Sequence, residues 1–268
     1  MPKYKQVDVF SDTPYLGNPV AVIYDADSLS TSQMQKIANW TNLSETTFVC
    51  KPTTPEADYK LRIFTPGTEL PFAGHPTIGT AHALIEDKLI KPKSGIVVQE
   101  CGAGLIDIEV IDGTLYFTAP EYKFFNLDSS SITKSFGKKV INKPVKSDTG
   151  PYFAIFQFES PEDLLNINID LPLIEKFSKE NSLTGVGLFA EYNDGNLETR
   201  LIAPLVGVNE DPATGSLSGA LGHYLKQTFD INQGRKVKRD CKIKVKYEDG
   251  KVKVGGNAIT CFDGLYNS

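Results

Sequence analysis

The sequence predicts an α+β protein built from two similar halves, and three observations carry that expectation. Residues 65–85, TPGTELPFAGHPTIGTAHALI, and residues 209–225, NEDPATGSLSGALGHYL, each run from a Pro/Gly-rich loop into a helix of small and apolar residues. A helix that is apolar all round is a buried one. Short β-prone runs separated by turn residues surround both segments. Laid over each other with an offset of 140, the segments match Ala73 with Ala213, His75 with Gly215 and Gly79 with Gly219. The shared layout of strand, shaped loop and buried helix says more than those few matches, and internal duplication explains it most economically.

Taken in order, Gln6 to Phe10 and Val20 to Tyr24 read as strands joined by the turn-rich DTPYLGNP. Ser30, Thr31 and Ser32 are candidate caps for a helix of about ten residues, with Met34, Ile37 and Ala38 at helical spacing. Glu45 follows at a helix-to-strand junction before the β-prone TTFVC; by position alone it reads as a solvated turn residue. YKLRIFT alternates as a half-buried strand and leads into the 65–85 loop.

In that loop Pro66, Gly67, Pro71, Gly74 and Pro76 shape the backbone, with Pro76 suited to the first helical position. The N-terminus of a buried helix exposes N–H groups that favour an anion, and His75 stands at its mouth, as cap or as functional group. Gly95 to Glu100, Leu105 to Ile111 and Leu115 to Ala119 read as antiparallel strands. Residues 120–150 are polar and weakly periodic and read as a linker, after which PYFAIFQF restarts the β pattern. One or two short helices are expected in SPEDLLNINIDLPLIEKFSKEN, and strands in GVGLFAEY and LETRLIAPL. In 209–225, Asp211 before Pro212 is a turn residue or a functional one, and Ser216 a cap or a functional one. The tail reads as a hairpin turning at Asp249-Gly250, with a lysine-covered face that signifies solvation and edge protection.

With 33 acidic and 28 basic residues in 268, a net charge of -5, the chain lacks the footprint of a nucleic-acid binder. No apolar run approaches the roughly 18 residues needed to span a bilayer, and no leader pattern opens the chain, so a cytoplasmic protein is expected. Cys50, Cys101, Cys241 and Cys261 form no CxxC pair and signal no metal site.

VDVFSDTPYLGNPVAVI, NLSETTFV, RIFTPGTELPFAGHPTIGTAHAL, EDPATGSLSGALGHYL and VGGNAITCFDGLY, in that order, resemble the PhzF-like family of isomerases. The resemblance implies a diaminopimelate-epimerase-like fold, in which each half is a curved, mostly antiparallel, barrel-like sheet around a central helix and the active site lies in the cleft between halves. On that basis the first half-domain is placed over 1–118, rejoined by the final strand at about 258–268, and the second over 119–257. The resemblance also implies that Glu45 is the proton-transferring carboxylate, with His75 and Asp211 as its catalytic partners. Gly74, Thr214, Gly215 and Ser216 are the implied substrate-binding residues. The family pattern is broken after Gln233-Gly234, where GRPS is expected and Arg235-Lys236-Val237-Lys238-Arg239-Asp240 stands.

The expected activity is a cofactor-independent, metal-free double-bond shift on a small anionic metabolite, by a homodimer that binds neither nucleic acid nor membrane. A non-catalytic binding module and an epimerase or racemase are the alternatives. PFAGHPT and DPATGS contain no cysteine, which disfavours the two-thiol chemistry of the sister epimerases. His82 and His223, inside the apolar helices, are expected to pack rather than react.

Overall fold

The computed structural model describes residues 2–267, an α+β chain of mostly antiparallel sheet that divides into two compact units. One comprises the chain up to Thr118 and again from Val254, the other Ala119–Lys253.

The first unit opens with β1 (Lys3–Val9), β2 (Asn18–Ile23), α1 (Thr31–Thr41), β3 (Glu45–Cys50) and β4 (Tyr59–Phe64). It continues through the two-residue β5 (Glu69–Leu70) to α2 (Gly74–Glu86), then β6 (Ile96–Cys101), β7 (Gly104–Ile111) and β8 (Thr114–Thr118). β1–β2, β3–β4, β4–β5, β6–β7 and β7–β8 are antiparallel, while β2–β3 and β4–β6 are parallel. Parallel neighbours need a crossover connection, and those crossovers contain α1 and α2. The two helices meet different residues of the same sheet. On β3, Thr47 bonds Thr80 of α2 at 2.9 Å, whereas the next residue, Phe48, packs with Met34 and Ala38 of α1. This is the period-2 alternation of a strand covered on both faces.

The second unit contains β9 (Lys123–Asn126), α3 (Ser130–Thr133), β10 (Val145–Asp148), β11 (Tyr152–Gln157), α4 (Pro161–Leu165) and α5 (Leu171–Glu180). Then come β12 (Gly185–Glu191), β13 (Leu197–Ala203), β14 (Val208–Asp211), α6 (Gly215–Leu225), β15 (Phe229–Gln233) and β16 (Cys241–Glu248). Its ladder repeats the first: β11–β12 and β13–β15 are parallel, β14 is a short antiparallel neighbour of β13, and α6 lies in the β13-to-β15 crossover as α2 does in the β4-to-β6 one. Among the described residues no helix is long and apolar enough to cross a membrane.

Residues 120–150 are not a linker. They supply β9, α3, a 3-10 turn at Lys134–Phe136 and β10, and β10 is an inner strand between β9 and β11. Ile132 and Phe136 are buried in one cluster with Phe156, Phe158 and Phe177. Two apolar anchors four residues apart fix a segment whose average composition is polar, because tertiary burial overrides weak local propensity.

β17 (Lys251–Gly256) follows the Asp249-Gly250 turn, both residues at positive φ as a two-residue hairpin loop requires. The last strand, β18 (Ala258–Leu265), pairs antiparallel with β1. β9, the second unit's own first strand, has the equivalent place beside β10. In the first unit, therefore, the strand flanking β1 comes from beyond the opposite half of the chain.

Candidate active site

Glu45 opens β3. α1 ends at Asn42, whose left-handed conformation (φ 55) turns the chain, and Glu45 then registers opposite Val20 in the parallel β2–β3 ladder. α2 starts at Gly74 with Ala73 as its N-cap, which makes His75 the second helical residue and Pro76 the third. The helix thus begins two residues before the position expected from Pro76, and the proline still costs nothing because the first four N–H groups have no intrahelical partner. Gly74 is required by space: a Cβ there would run into the Phe117 ring.

His75 is 7% exposed and Glu45 16%, with Nδ1 of the ring 3.2 Å from Oε2 of the carboxylate. Burial pushes the His75 pKa down to about 4, against a smaller opposing effect of the Pro19 carbonyl, so at neutral pH the imidazole is uncharged. α2 is held under this pair by Thr80 on Thr47 and by Gln99 Nε2, which donates to the Thr77 hydroxyl at 3.1 Å.

In the second unit Asp211 ends β14, and after Pro212 and Ala213 the N-cap of α6 is Thr214. The Thr214 hydroxyl donates to Asp211 Oδ2 at 2.5 Å, and the Thr214 N–H donates to Gln233 Oε1 at 3.1 Å. Thr214 thereby commits both donors to the protein and shapes the loop. Gly215 and Ser216 are the first two residues of α6, whose first-turn N–H groups have no partner within the helix. Tyr122 donates to the Ser216 carbonyl at 2.8 Å and anchors that turn.

Sequence reasoning passed over Gln233 except as a landmark. It is buried, and its Nε2 donates to the Asp211 carbonyl and to the Thr214 hydroxyl, each at 3.0 Å. An amide facing inward at the end of a strand, directly before a glycine turn, was the available signal. Gly234 adopts φ 96, and a Cβ there would meet the Pro212 carbonyl oxygen. The departing turn beyond it is ordered: Arg235 lies 3.3 Å from the buried Glu198 carboxylate and donates to the Tyr192 hydroxyl at 3.0 Å. Burial raises the Glu198 pKa, with Tyr192 and Arg235 opposing.

His82 and His223 stand apart from both constellations. His82 is 3.9 Å from Glu86 within α2, and the His223 ring lies against Tyr122 with centroids 5.0 Å apart.

The sequence profile of the phenazine biosynthesis-like protein family, PhzC-PhzF, matches residues 7–264. A Schizosaccharomyces pombe protein named antisense-enhancing sequence 1 is 42% identical, over 97% of this chain and 97% of its own length. The trans-2,3-dihydro-3-hydroxyanthranilate isomerase of Pseudomonas aeruginosa is 32% identical over 98% and 99% of the two chains. A crystal structure of a Bacillus anthracis PhzF-family protein matches the fold with a TM-score of 0.87 over 99% of both chains, at 24% identity. With a profile spanning nearly the whole sequence and full-length relatives named isomerases, the chain belongs to the phenazine biosynthesis-like family and is an isomerase of that family.

Proposed function

We propose that the chain shifts a double bond on a small, unsaturated carboxylate by moving a proton, with Glu45 as the transferring group. The observation that carries this reading is the Glu45–His75 pair: a carboxylate mostly out of solvent, 3.2 Å from an imidazole that burial keeps neutral. A neutral ring places no positive charge beside the carboxylate that would weaken it as a base, and a carboxylate can accept a proton and then return it.

In this mechanism the Glu45 carboxylate removes a proton from a carbon next to the unsaturated system. The electron pair of that C–H bond moves into the π system and displaces the double bond. The Glu45 carboxyl exchanges that proton with solvent and then delivers a proton to the carbon at the far end, so nothing is gained or lost overall. Transient negative charge on the substrate is suited to the donors of a helix N-terminus, the role that the family resemblance implies for the Asp211–Ser216 loop. The dihydroanthranilate named for the Pseudomonas relative is the first substrate to try.

Incubation of the protein with trans-2,3-dihydro-3-hydroxyanthranilate in deuterium oxide tests this. The expected result is an isomer of equal composition apart from deuterium acquired at the newly saturated carbon. Saturable binding of the dihydroanthranilate with neither isomer nor deuterium would remove it as a substrate and count against this proton transfer.

A further inference from the structure

We infer that Gln233 is a positioning residue that sets the orientation and charge state of Asp211 through Thr214. Its significance for catalysis rests on the isomerase reading above, but the geometry stands by itself. Gln233 is 1% exposed and all its polar atoms are used. Oε1 accepts from the Thr199 hydroxyl of the neighbouring strand and from the Thr214 N–H, both at 3.1 Å. These two donors fix which end of the amide faces which way. Nε2 is thereby aimed at the Asp211 carbonyl and at the Thr214 hydroxyl oxygen, both at 3.0 Å.

The consequence follows from hydroxyl chemistry. A threonine hydroxyl has a single proton, and when its oxygen accepts from Gln233 that proton is left to point elsewhere; here it goes to Asp211 Oδ2. The relay from Nε2 through Oγ1 to Oδ2 is polarised in one direction, and each bond strengthens the next in a buried site. A donor aimed at a carboxylate favours its ionised form. Gln233 thus stabilises ionised Asp211 and fixes the loop that opens α6.

The duplicated architecture supplies an internal control. Gln99 is opposite Tyr59 in the parallel β4–β6 ladder as Gln233 is opposite Thr199 in β13–β15. It too is fully buried and accepts from its partner's hydroxyl, but its Nε2 donates to Thr77, inside the first turn of α2, and reaches no carboxylate. The same scaffold position supports a helix in one unit and a charged loop in the other.

The test is a carboxyl-carbon NMR titration of protein labelled at the aspartate side chains, with the Asp211 resonance assigned by its loss in Asp211→Asn. In Gln233→Met the Asp211 midpoint moves upward, and in Gln99→Met it does not, although both variants lose stability. Thr199→Val, which removes one of the two donors to Oε1 and so loosens the amide, moves the midpoint in the same direction by less; it decides the matter if Gln233→Met does not fold. An unmoved Asp211 midpoint in the folded Gln233→Met protein, or in Thr199→Val in its place, overturns the inference. Deuterium incorporation into trans-2,3-dihydro-3-hydroxyanthranilate is measured in parallel. Gln233→Met reduces it roughly ten- to hundredfold, the scale of a misplaced site group. Should the unaltered protein show no incorporation, the isomerase reading fails on that substrate while the titration still judges Gln233.

Discussion

At the scale of single residues, His75 couples the site to stability, because a ring that burial holds near a pKa of 4 takes up its proton far more readily once the chain unfolds. The unfolded state therefore binds the extra proton between about pH 6.5 and 4, and stability falls as pH drops through that window. The predicted loss is up to about 3 kcal/mol, complete near the folded value. Denaturant unfolding at intervals from pH 7 to pH 4 checks this: the unaltered protein loses more stability over the range than His75→Gln, and parallel curves would contradict it. Arg200 offers a second case. It is 4% exposed, pairs through two nitrogens with Glu210 and donates to the carbonyls of Leu164 and Ile167. Arg200→Met is expected to cost about 3–5 kcal/mol by stranding Glu210, and Arg200→Met with Glu210→Met to cost less, both by chemical denaturation.

Among the elements, α1 was plainly legible, for the Ser30-Thr31-Ser32 run announces a cap and Gln33 selects which residue serves. Ser30 Oγ accepts from the Gln33 N–H, while the Gln33 side chain reaches back to the Ser30 N–H, a complete capping box. α1 in turn steadies the loop before α2, with Gln35 donating to the Thr65 carbonyl and Asn39 to that of Pro66. Ser30→Ala is predicted to lower stability by about 1 kcal/mol, read from the denaturation midpoint. The apolar faces of α2 and α6 were equally plain, since helices without a charged side have only an interior to occupy. What composition hid was β9 to β10, where short elements leave no periodicity to read and two buried side chains, Ile132 and Phe136, provide the anchoring. Gln233 and Arg200 were hidden for the opposite reason: each is a polar residue whose burial depends on partners distant in sequence, such as Thr214 and Glu210.

Across the whole molecule, the duplication was visible as a repeated layout, but nothing in the sequence pattern alone dictates the return of β18 to the first unit, because a strand's pairing partner leaves no local mark. That return has a consequence for fragments. Residues 2–118 alone lack β18, so β1 loses the neighbour it pairs with from Lys3 to Val9. That fragment is expected to be protease-sensitive and poor in β-sheet signal. Placing residues 254–266 ahead of Pro2 through a short Gly/Ser loop should restore both properties, since Tyr266 N–H already bonds the Pro2 carbonyl at 3.0 Å. Equal protease resistance of the two fragments would show that β18 is dispensable. Fold and family emerge from motifs spread along nearly the entire chain, whereas the proposed chemistry rests on Glu45. Its most direct test is Glu45→Gln assayed in deuterium oxide with trans-2,3-dihydro-3-hydroxyanthranilate beside the unaltered protein. The variant is predicted to fold normally and to lose isomer formation and deuterium incorporation by on the order of a hundredfold or more; undiminished incorporation would remove Glu45 from the proton transfer.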